Sequence, residues 1–172
     1  LLSIASALAE GGAWLCAALM GWAAWRQPRE RGYLLAALAM AGVASFLAHW
    51  LADGIGLPRP FVLGLAPAHI AHGPSAAMPS THATVMFFIA LALAAHPGLR
   101  RWAPAAALLA LATGWARVYV GVHFPSDIAA GLVLAMAVQG LFMALQWLAM
   151  RRVAPAFARI QQGAGPTQGR AP

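Results

Sequence analysis

Charged residues are scarce in this chain of 172 residues. Only 9% of them are Asp, Glu, Lys or Arg, whereas about 25% are charged in a soluble domain. Lysine is absent, and four acidic residues accompany eleven arginines. With 62% hydrophobic residues and a mean hydropathy of +0.71, the chain has too little polar surface to cover a water-soluble globule. The composition therefore predicts a membrane protein.

Cysteine is almost absent as well. The single cysteine, Cys16, lies inside an apolar segment, which excludes an intrachain disulfide and favours a packing role. The net charge of +7 does not indicate a nucleic-acid partner, because no soluble basic domain is present to dock a duplex. Arginines beside apolar segments instead orient the chain and lie near anionic lipid headgroups.

Five apolar segments come close to the length of about 20 residues that a bilayer-spanning helix needs. These segments are Leu2–Trp25, Tyr33–Leu51, Ser80–Ala95, Ala103–Val122 and Pro125–Met150. The sequence thus predicts an all-α, polytopic membrane bundle with about five transmembrane helices. Residues 1–150 form its single membrane-embedded domain. Residues 151–172, whose end is rich in Gly, Pro and Gln, are predicted to be a disordered cytoplasmic tail.

The arginines predict the orientation of the bundle. Most of them flank alternate segments and so share one side of the membrane, which the positive-inside rule makes cytoplasmic. These are Arg26, Arg29, Arg31, Arg100, Arg101, Arg151, Arg152, Arg159 and Arg170. The other two, Arg59 and Arg117, fall on the opposite face, together with His82, His123 and Asp127. We therefore expect these polar residues on the non-cytoplasmic side of the membrane.

The first polar island is Pro79-Ser80-Thr81-His82, at the start of the third segment. Pro79 suits a helix start, and Ser80 or Thr81 can cap that helix. A helix N-terminus is a natural phosphate site, which places His82 beside any bound phosphate. A capping serine with an interfacial histidine is an equally good reading of this island taken alone.

The second island runs from Arg117 through His123 to Asp127. Pro125 indicates a helix start, so His123 precedes the helix and Asp127 lies in its first turn. A carboxylate on one ring nitrogen fixes the tautomer and leaves the other nitrogen free as a nucleophile. Dipole complementarity and snorkelling could account for Asp127 and Arg117 separately, but they leave the combination unexplained. A third island, Arg59-Pro60, supplies a guanidinium suited to phosphate oxygens.

These islands carry a family resemblance. The order Arg59-Pro60, then Pro79-Ser80-x-His82, then Arg117-x5-His123-x3-Asp127 resembles the type 2 phosphatidic acid phosphatase superfamily. The surrounding residues are most similar to its bacterial undecaprenyl-diphosphate phosphatase branch. The resemblance implies an integral membrane lipid phosphatase that hydrolyses a lipid-linked phosphate or diphosphate, with undecaprenyl diphosphate as the leading candidate. It also implies a bacterial inner-membrane protein whose active site faces the periplasm or cell exterior.

The resemblance also implies a role for each residue. His123 is the nucleophile that forms a phosphohistidine, and Asp127 orients it. His82 protonates the leaving lipid oxygen and then activates water. The phosphate is held by Arg59, Arg117, Ser80 and Thr81. Neither a metal nor a cofactor is implied, and the expected partners are the lipid-linked substrate and membrane lipids.

Three positions depart from the family pattern. Ala52 stands where a lysine is frequent, which leaves the choice between a monophosphate and a diphosphate open. Ala116 replaces a usual serine, and Thr81 replaces a commoner Gly or Asp. Family members often have six membrane helices, so we expect that sequence preceding Leu1 belongs to the protein.

Other readings of the sequence remain. A phosphotransferase would pass the phosphoryl group from the same phosphohistidine to a hydroxyl instead of water. A catalytically inactive scaffold or lipid-binding protein could keep the fold, and an electron carrier that binds haem through its histidines is more remote. His69 and His72 have a spacing that could suit a metal, but no cysteine or third carboxylate accompanies them. We therefore expect interfacial structural roles for His49, His69, His72 and His96.

Overall fold

The computed structural model describes residues 1–163, with side chains described as far as Arg152. The five α-helices are α1 (Leu2–Arg26), α2 (Arg31–Ile55), α3 (Thr81–Ala95), α4 (Ala103–Tyr119) and α5 (Pro125–Gly163). Short 3-10 turns, Pro28–Glu30 and Arg100–Trp102, join α1 to α2 and α3 to α4. No strand occurs within residues 1–163. The predicted all-α class is confirmed.

Helices α1, α2 and α5 are long and apolar enough to cross a membrane. Helix α3 is a shorter apolar helix of 15 residues, and α4 has 17 residues. At 1.5 Å per residue, α3 is about 22 Å long, less than the hydrocarbon core of about 30 Å. The five helices match the five predicted segments, and three of these have the dimensions of a full span.

Residues Leu1–Gln139 form one compact unit, and a second unit begins at Gly140. Helix α5 continues past the predicted domain boundary at Met150 as far as Gly163. The predicted tail therefore begins with helical residues, and residues 164–172 lie outside the described part of the chain. All of the predicted site residues belong to the first unit.

The connections between helices gather at two ends of the first unit. At one end, the Gln27 side-chain amide donates to the Gly98 carbonyl at 3.0 Å, and His96 lies 3.4 Å from Glu30. These two contacts join the α1–α2 turn to the α3–α4 turn. We call this end of the unit the arginine end, because the arginines of both turns lie there. The site end is the opposite end, where α2 and α4 finish and α3 and α5 begin.

Small residues let the helices of the site end approach closely. Ala5 and Ala9 of α1 form a buried cluster with Ala116 of α4 and with Val120 and Val122, which follow that helix. The loop between α2 and α3 is attached to this cluster through two of its partly buried residues, Phe61 and Ile70. Backbone hydrogen bonds, among them His69 N–H to the Val120 carbonyl at 3.0 Å, also hold the loop. This long loop between α2 and α3 therefore packs over the helix ends.

Helix α2 ends four residues later than the sequence predicted, at Ile55 instead of Leu51. Gly56 follows in the left-handed conformation with φ of 68°, and its N–H donates to the Ala52 carbonyl at 2.8 Å. This is the usual way for a glycine to end a helix. The extra turn brings Ala52 and Asp53 to the rim of the cavity described next.

Candidate active site

A cavity of about 150 Å³ opens at the site end. It brings together residues that are distant in the sequence, because the loop, α3, α4 and the α4–α5 turn all contribute to its wall. The predicted site residues that line it are Arg59, Thr81, His82, Arg117 and His123. Asp127 lies behind His123 and is buried with it. The structure thus places two guanidiniums, two imidazoles and a carboxylate at one point.

His123 is held by the first turn of α5. The helix begins at Pro125, the residue predicted to start it, and this places Asp127 one turn beyond His123. The His123 Nδ1–H donates to Asp127 Oδ2 at 3.1 Å, and the Phe124 backbone N–H donates to the same oxygen at 2.8 Å. A neutral imidazole with a proton on Nδ1 carries its lone pair on Nε2. The His123 Nε2 therefore faces the cavity as a nucleophile-competent nitrogen.

A sharp turn between α4 and α5 aims Arg117 and His123 at the same point. Gly121 lies in this turn with φ of 80°, a conformation that residues with a Cβ rarely adopt. A Cβ at Gly121 would also overlap the carbonyl oxygen of Pro67 in the long loop. Gly121 accordingly allows both the reversal of the chain and its contact with that loop.

The Arg59 guanidinium is fixed by backbone acceptors. Its Nε donates to the Ser75 carbonyl at 2.8 Å, its Nη2 to the Ala76 carbonyl at 3.1 Å, and its Nη1 to the Val122 carbonyl at 2.8 Å. The same Nη1 lies 3.0 Å from His123 Nε2. A guanidinium held in this way keeps one edge directed at the nucleophile-competent nitrogen.

Arg117 approaches that nitrogen from α4 and has fewer protein partners. Its Nη1 donates to the Ala9 carbonyl of α1 at 3.1 Å, and its Nη2 lies 3.5 Å from His123 Nε2. Its Nε is buried and has no hydrogen-bond partner among the described residues. Two guanidiniums therefore converge on one ring nitrogen, where they would neutralise the oxygens of a phosphoryl group attached to it.

The first polar island, Pro79-Ser80-Thr81-His82, divides between the cavity and the core. Thr81 and His82, in the first turn of α3, line the cavity. Ser80 is fully buried and is not part of the cavity wall that the described residues form. It occupies the position before the helix, yet its side chain makes no capping hydrogen bond, so the expected cap is wrong for Ser80. Its backbone N–H instead donates to the Asp127 carbonyl at 3.0 Å and ties α3 to α5.

Burial sets the charge state of His123. Removal from solvent is the largest cause that lowers the pKa of its imidazole. The hydrogen bond to Asp127 opposes the shift, the positive charges of Arg117 and Arg59 add to it, and together these effects lower the pKa from 6.5 to about 4. Burial also lowers the pKa of the Arg59 guanidinium, opposed by the negative charge of Asp127. The neutral form of His123 is therefore favoured at neutral pH, which keeps its lone pair available.

This shift predicts how stability depends on pH. The unfolded chain takes up a proton at His123 near pH 6.5, and the folded chain only near pH 4, so stability falls as the pH drops between these values. The loss amounts to about 3 kcal/mol at pH 4. Above pH 6.5 this residue contributes no pH dependence. Thermal unfolding of detergent-solubilised wild type and His123→Gln should show the two midpoints diverging below pH 6.5, with a smaller acid loss in the variant. Parallel curves from pH 8 to pH 4 would contradict the assignment.

Sequence reasoning missed several residues of the cavity wall. His72 and Ser75 of the long loop line it, as do His49 and Asp53 of α2. His72 was expected to have only an interfacial role, yet its Nε2 lies 3.0 Å from Arg117 Nη2. The sequence offered one indication that His72 belongs to the site, because the loop that carries it connects two of the polar islands.

A family model described as the PAP2 superfamily matches residues 32–151. The chain belongs to the PAP2 superfamily. This confirms the predicted resemblance, since PAP2 denotes the type 2 phosphatidic acid phosphatase family. The matched residues include α2 from its second residue, all of α3 and α4, and α5 as far as residue 151. Every residue of the three polar islands lies within the match.

Two curated relatives indicate the branch within the PAP2 superfamily. The putative undecaprenyl-diphosphatase YbjG of Escherichia coli (strain K12) is 35% identical over 114 residues, which are 65% of this chain and 56% of the relative. The undecaprenyl-diphosphatase BcrC of Bacillus subtilis (strain 168) is 31% identical over 104 residues, 60% of this chain and 53% of the relative. The chain spans about half the length of these relatives. Their names agree with the predicted branch.

A solved structure supports the PAP2 fold. The chain is similar to the transmembrane PAP2 type phosphatidylglycerolphosphate phosphatase from Bacillus subtilis, with a TM-score of 0.53 and 23% identity. The likeness covers 84% of this chain and 85% of that chain. At this identity the comparison bears on the fold alone. The helical fold of this chain agrees with that of the solved structure.

Proposed function

We propose that this chain is a membrane phosphatase that hydrolyses a lipid-linked phosphate or diphosphate through a phosphohistidine at His123. One observation carries the proposal. The His123 Nε2 carries the lone pair of the ring, because Nδ1–H is bonded to Asp127. This nitrogen lies 3.0 Å from Arg59 Nη1 and 3.5 Å from Arg117 Nη2, between the two guanidiniums. Phosphoryl transfer needs this combination of an aligned nucleophile and fixed positive charge.

The first step transfers the phosphoryl group to the enzyme. The His123 Nε2 lone pair attacks phosphorus, and the bond from phosphorus to the leaving oxygen breaks. His82 donates a proton to that oxygen, which departs on the lipid or, for a diphosphate, on the lipid monophosphate. Asp127 stabilises the positive imidazole that forms, and Arg59 and Arg117 balance the phosphoryl oxygens.

The second step releases phosphate. Water attacks phosphorus, the bond from phosphorus to Nε2 breaks, and His82 accepts a proton from the attacking water, which restores its protonated form. The electron pair returns to His123, so the enzyme is regenerated. Thr81 borders the same cavity and is assigned to hold a phosphate oxygen. Ser80 is assigned to support α3 and α5 behind the phosphate, since its hydroxyl is buried.

A lipid substrate is supported by an apolar groove next to the cavity. The groove has a volume of about 430 Å³ and lies between the end of α2 and the start of α5. Pro79 lines both spaces, which makes them neighbours. The rest of its lining is Leu51, Ile55, Met78, Ala130, Val133, Leu134 and Ala137. A hydrocarbon chain in this groove would have its phosphate beside His123.

Filling the groove is expected to impair long-chain substrates selectively. Ala137 lies about 10 Å further along α5 than Ala130, so Ala137→Trp blocks the inner part of the groove. We expect kcat/KM to fall about tenfold for a long prenyl diphosphate and to stay unchanged for a five-carbon prenyl diphosphate. The matched control is Ala107→Trp, which fills a different lipid-facing groove. Equal effects of both variants on both substrates would contradict this binding mode.

The orientation of the bundle follows from its charges. Arginines of both turns lie at the arginine end, and the catalytic cavity lies at the site end. The positive-inside rule assigns the arginine end to the cytoplasm. The cavity then opens towards the periplasm or cell exterior of a bacterial inner membrane, where a lipid phosphate of the outer leaflet can reach it.

The experiment that tests the proposal is phosphate release by the purified protein. The substrates are undecaprenyl diphosphate, undecaprenyl phosphate, phosphatidic acid and phosphatidylglycerolphosphate, each with and without EDTA. We expect release from at least one of them, unchanged by EDTA because imidazole and guanidinium groups supply the nucleophile and the positive charge. Release that EDTA abolishes and added metal restores would contradict the mechanism. A phosphorylated acceptor in place of free phosphate would indicate a phosphotransferase.

A further inference from the structure

We propose that His72 is a positioning residue that holds the Arg117 guanidinium in place to receive a phosphate oxygen. The inference rests on the proposed function and extends it to a residue outside the three polar islands. His72 lies in the long loop and lines the same cavity as His123. The centroids of the two rings are 6.4 Å apart, and the ring planes are nearly perpendicular.

The hydrogen bonds of His72 define its tautomer. Its Nδ1 lies 3.0 Å from the Gly73 carbonyl oxygen, which can only accept, so Nδ1 carries the proton. Its Nε2 therefore has the lone pair and accepts from Arg117 Nη2 at 3.0 Å. His123 has the same arrangement, since its Nδ1–H is bonded to Asp127. Two unprotonated imidazole nitrogens thus face the Arg117 guanidinium.

The two nitrogens compete for one donor group. Arg117 Nη2 is 3.0 Å from His72 Nε2 and 3.5 Å from His123 Nε2, so the stronger bond is made to His72. Without His72, this donor has only the His123 lone pair within reach among the described residues. Arg59 Nη1 already lies 3.0 Å from that nitrogen, so the Arg117 donor would be left without a good acceptor. Its guanidinium would then no longer be held in place for the phosphate oxygens.

Arg59 does not need such a partner. Backbone carbonyls of Ser75, Ala76 and Val122 hold its guanidinium from three directions. Arg117 has one backbone acceptor, the Ala9 carbonyl, and an unpartnered buried Nε. A neutral imidazole suits this position, because it satisfies the donor in the resting site and yields it to a phosphate oxygen, which is the stronger acceptor.

The test compares His72→Phe with His72→Gln. Phenylalanine removes the acceptor, whereas the glutamine carbonyl oxygen can replace Nε2 as an acceptor for Arg117. We expect His72→Phe to lower kcat/KM for phosphate release by about 10- to 100-fold and His72→Gln to stay within about threefold of wild type. The matched control is His69→Phe in the same loop, whose ring is exposed and which should leave activity unchanged.

A second readout separates positioning from general damage to the loop. In an Arg117→Lys background, His72→Phe should cost less than about threefold, because the group that it positions has already been removed. A loop defect would instead reduce activity by the same factor in both backgrounds. The inference is overturned if His72→Phe is as active as wild type, or if His72→Gln is as impaired as His72→Phe. It is also overturned if His72→Phe lowers activity by the same factor in the Arg117→Lys background as in wild type.

The outcome is distinguishable from failure of the proposed function. If wild type releases phosphate and the His72 variants behave alike, only the positioning role fails. If wild type releases none from any of the four lipids, the proposed function fails, and thermal unfolding still tests the contact. His72→Phe should then unfold at a lower temperature than His72→Gln, since it leaves a buried guanidinium donor unpaired. Equal unfolding temperatures would overturn the inference.

Discussion

Replacement of His123 by alanine is expected to abolish phosphate release, with a loss of about four orders of magnitude or more. The substitution removes the Nε2 lone pair that lies between Arg59 and Arg117. No other ring nitrogen among the described residues is both held by a carboxylate and directed at two guanidiniums. The measurement is the steady-state rate of phosphate release from the best lipid substrate.

The control for this prediction is His69→Ala, which changes a histidine in the long loop whose side chain is exposed. Wild-type activity in that variant would show that loss of an imidazole near the site end is tolerated. Thermal unfolding of His123→Ala shows whether the protein remains folded. Activity of a folded His123→Ala within tenfold of wild type would remove His123 from the nucleophile position.

Replacement of Asp127 by alanine is expected to have the second largest effect, on the order of 10³-fold in kcat. The carboxylate accepts the His123 Nδ1–H and the Phe124 backbone N–H through the same oxygen. Its loss frees the imidazole to rotate and to move its proton to Nε2, where the proton would block attack on phosphorus. Single-turnover measurements of phosphate transfer would report this loss directly.

Asp127→Asn is expected to be much less harmful than Asp127→Ala. Because one carboxylate oxygen accepts both hydrogen bonds, an asparagine carbonyl oxygen at that position can keep both and preserve the tautomer. Only the negative charge opposite the imidazole is lost, which should cost about 10- to 100-fold. Equal losses in both variants would show that charge, and not orientation, is the contribution of Asp127.

The apolar segments of the chain and the residues that bound them predicted most of the fold. A long apolar segment in a membrane forms a helix, because its backbone polar groups must be hydrogen-bonded within the segment. The five helices therefore follow from composition and length. Pro125 fixed the start of α5, because proline at the first turn costs no hydrogen bond. The extension of α2 to Ile55 was not predictable from apolar character, since Asp53 and Gly54 interrupt it and the glycine cap at Gly56 ends it.

The candidate site was predictable where spacing alone brings groups together. His123 and Asp127 meet through one helical turn, which a sequence shows directly. The contact of His72 with Arg117 depends on how a long loop folds back over α4, and periodicity carries no information about that path. Ser80 illustrates the converse, since its place in the first polar island did not reveal that its side chain is fully buried.

The most direct test of the account is to trap the covalent intermediate. The enzyme is mixed with a prenyl diphosphate labelled at its terminal phosphate, quenched within milliseconds in alkali, and digested for mass spectrometry. We predict a phosphoryl group on His123 that is stable in alkali and lost in acid, and that is absent from His123→Ala. Full phosphate release with no labelled enzyme at any quench time, or with the label on another residue, would contradict attack by His123.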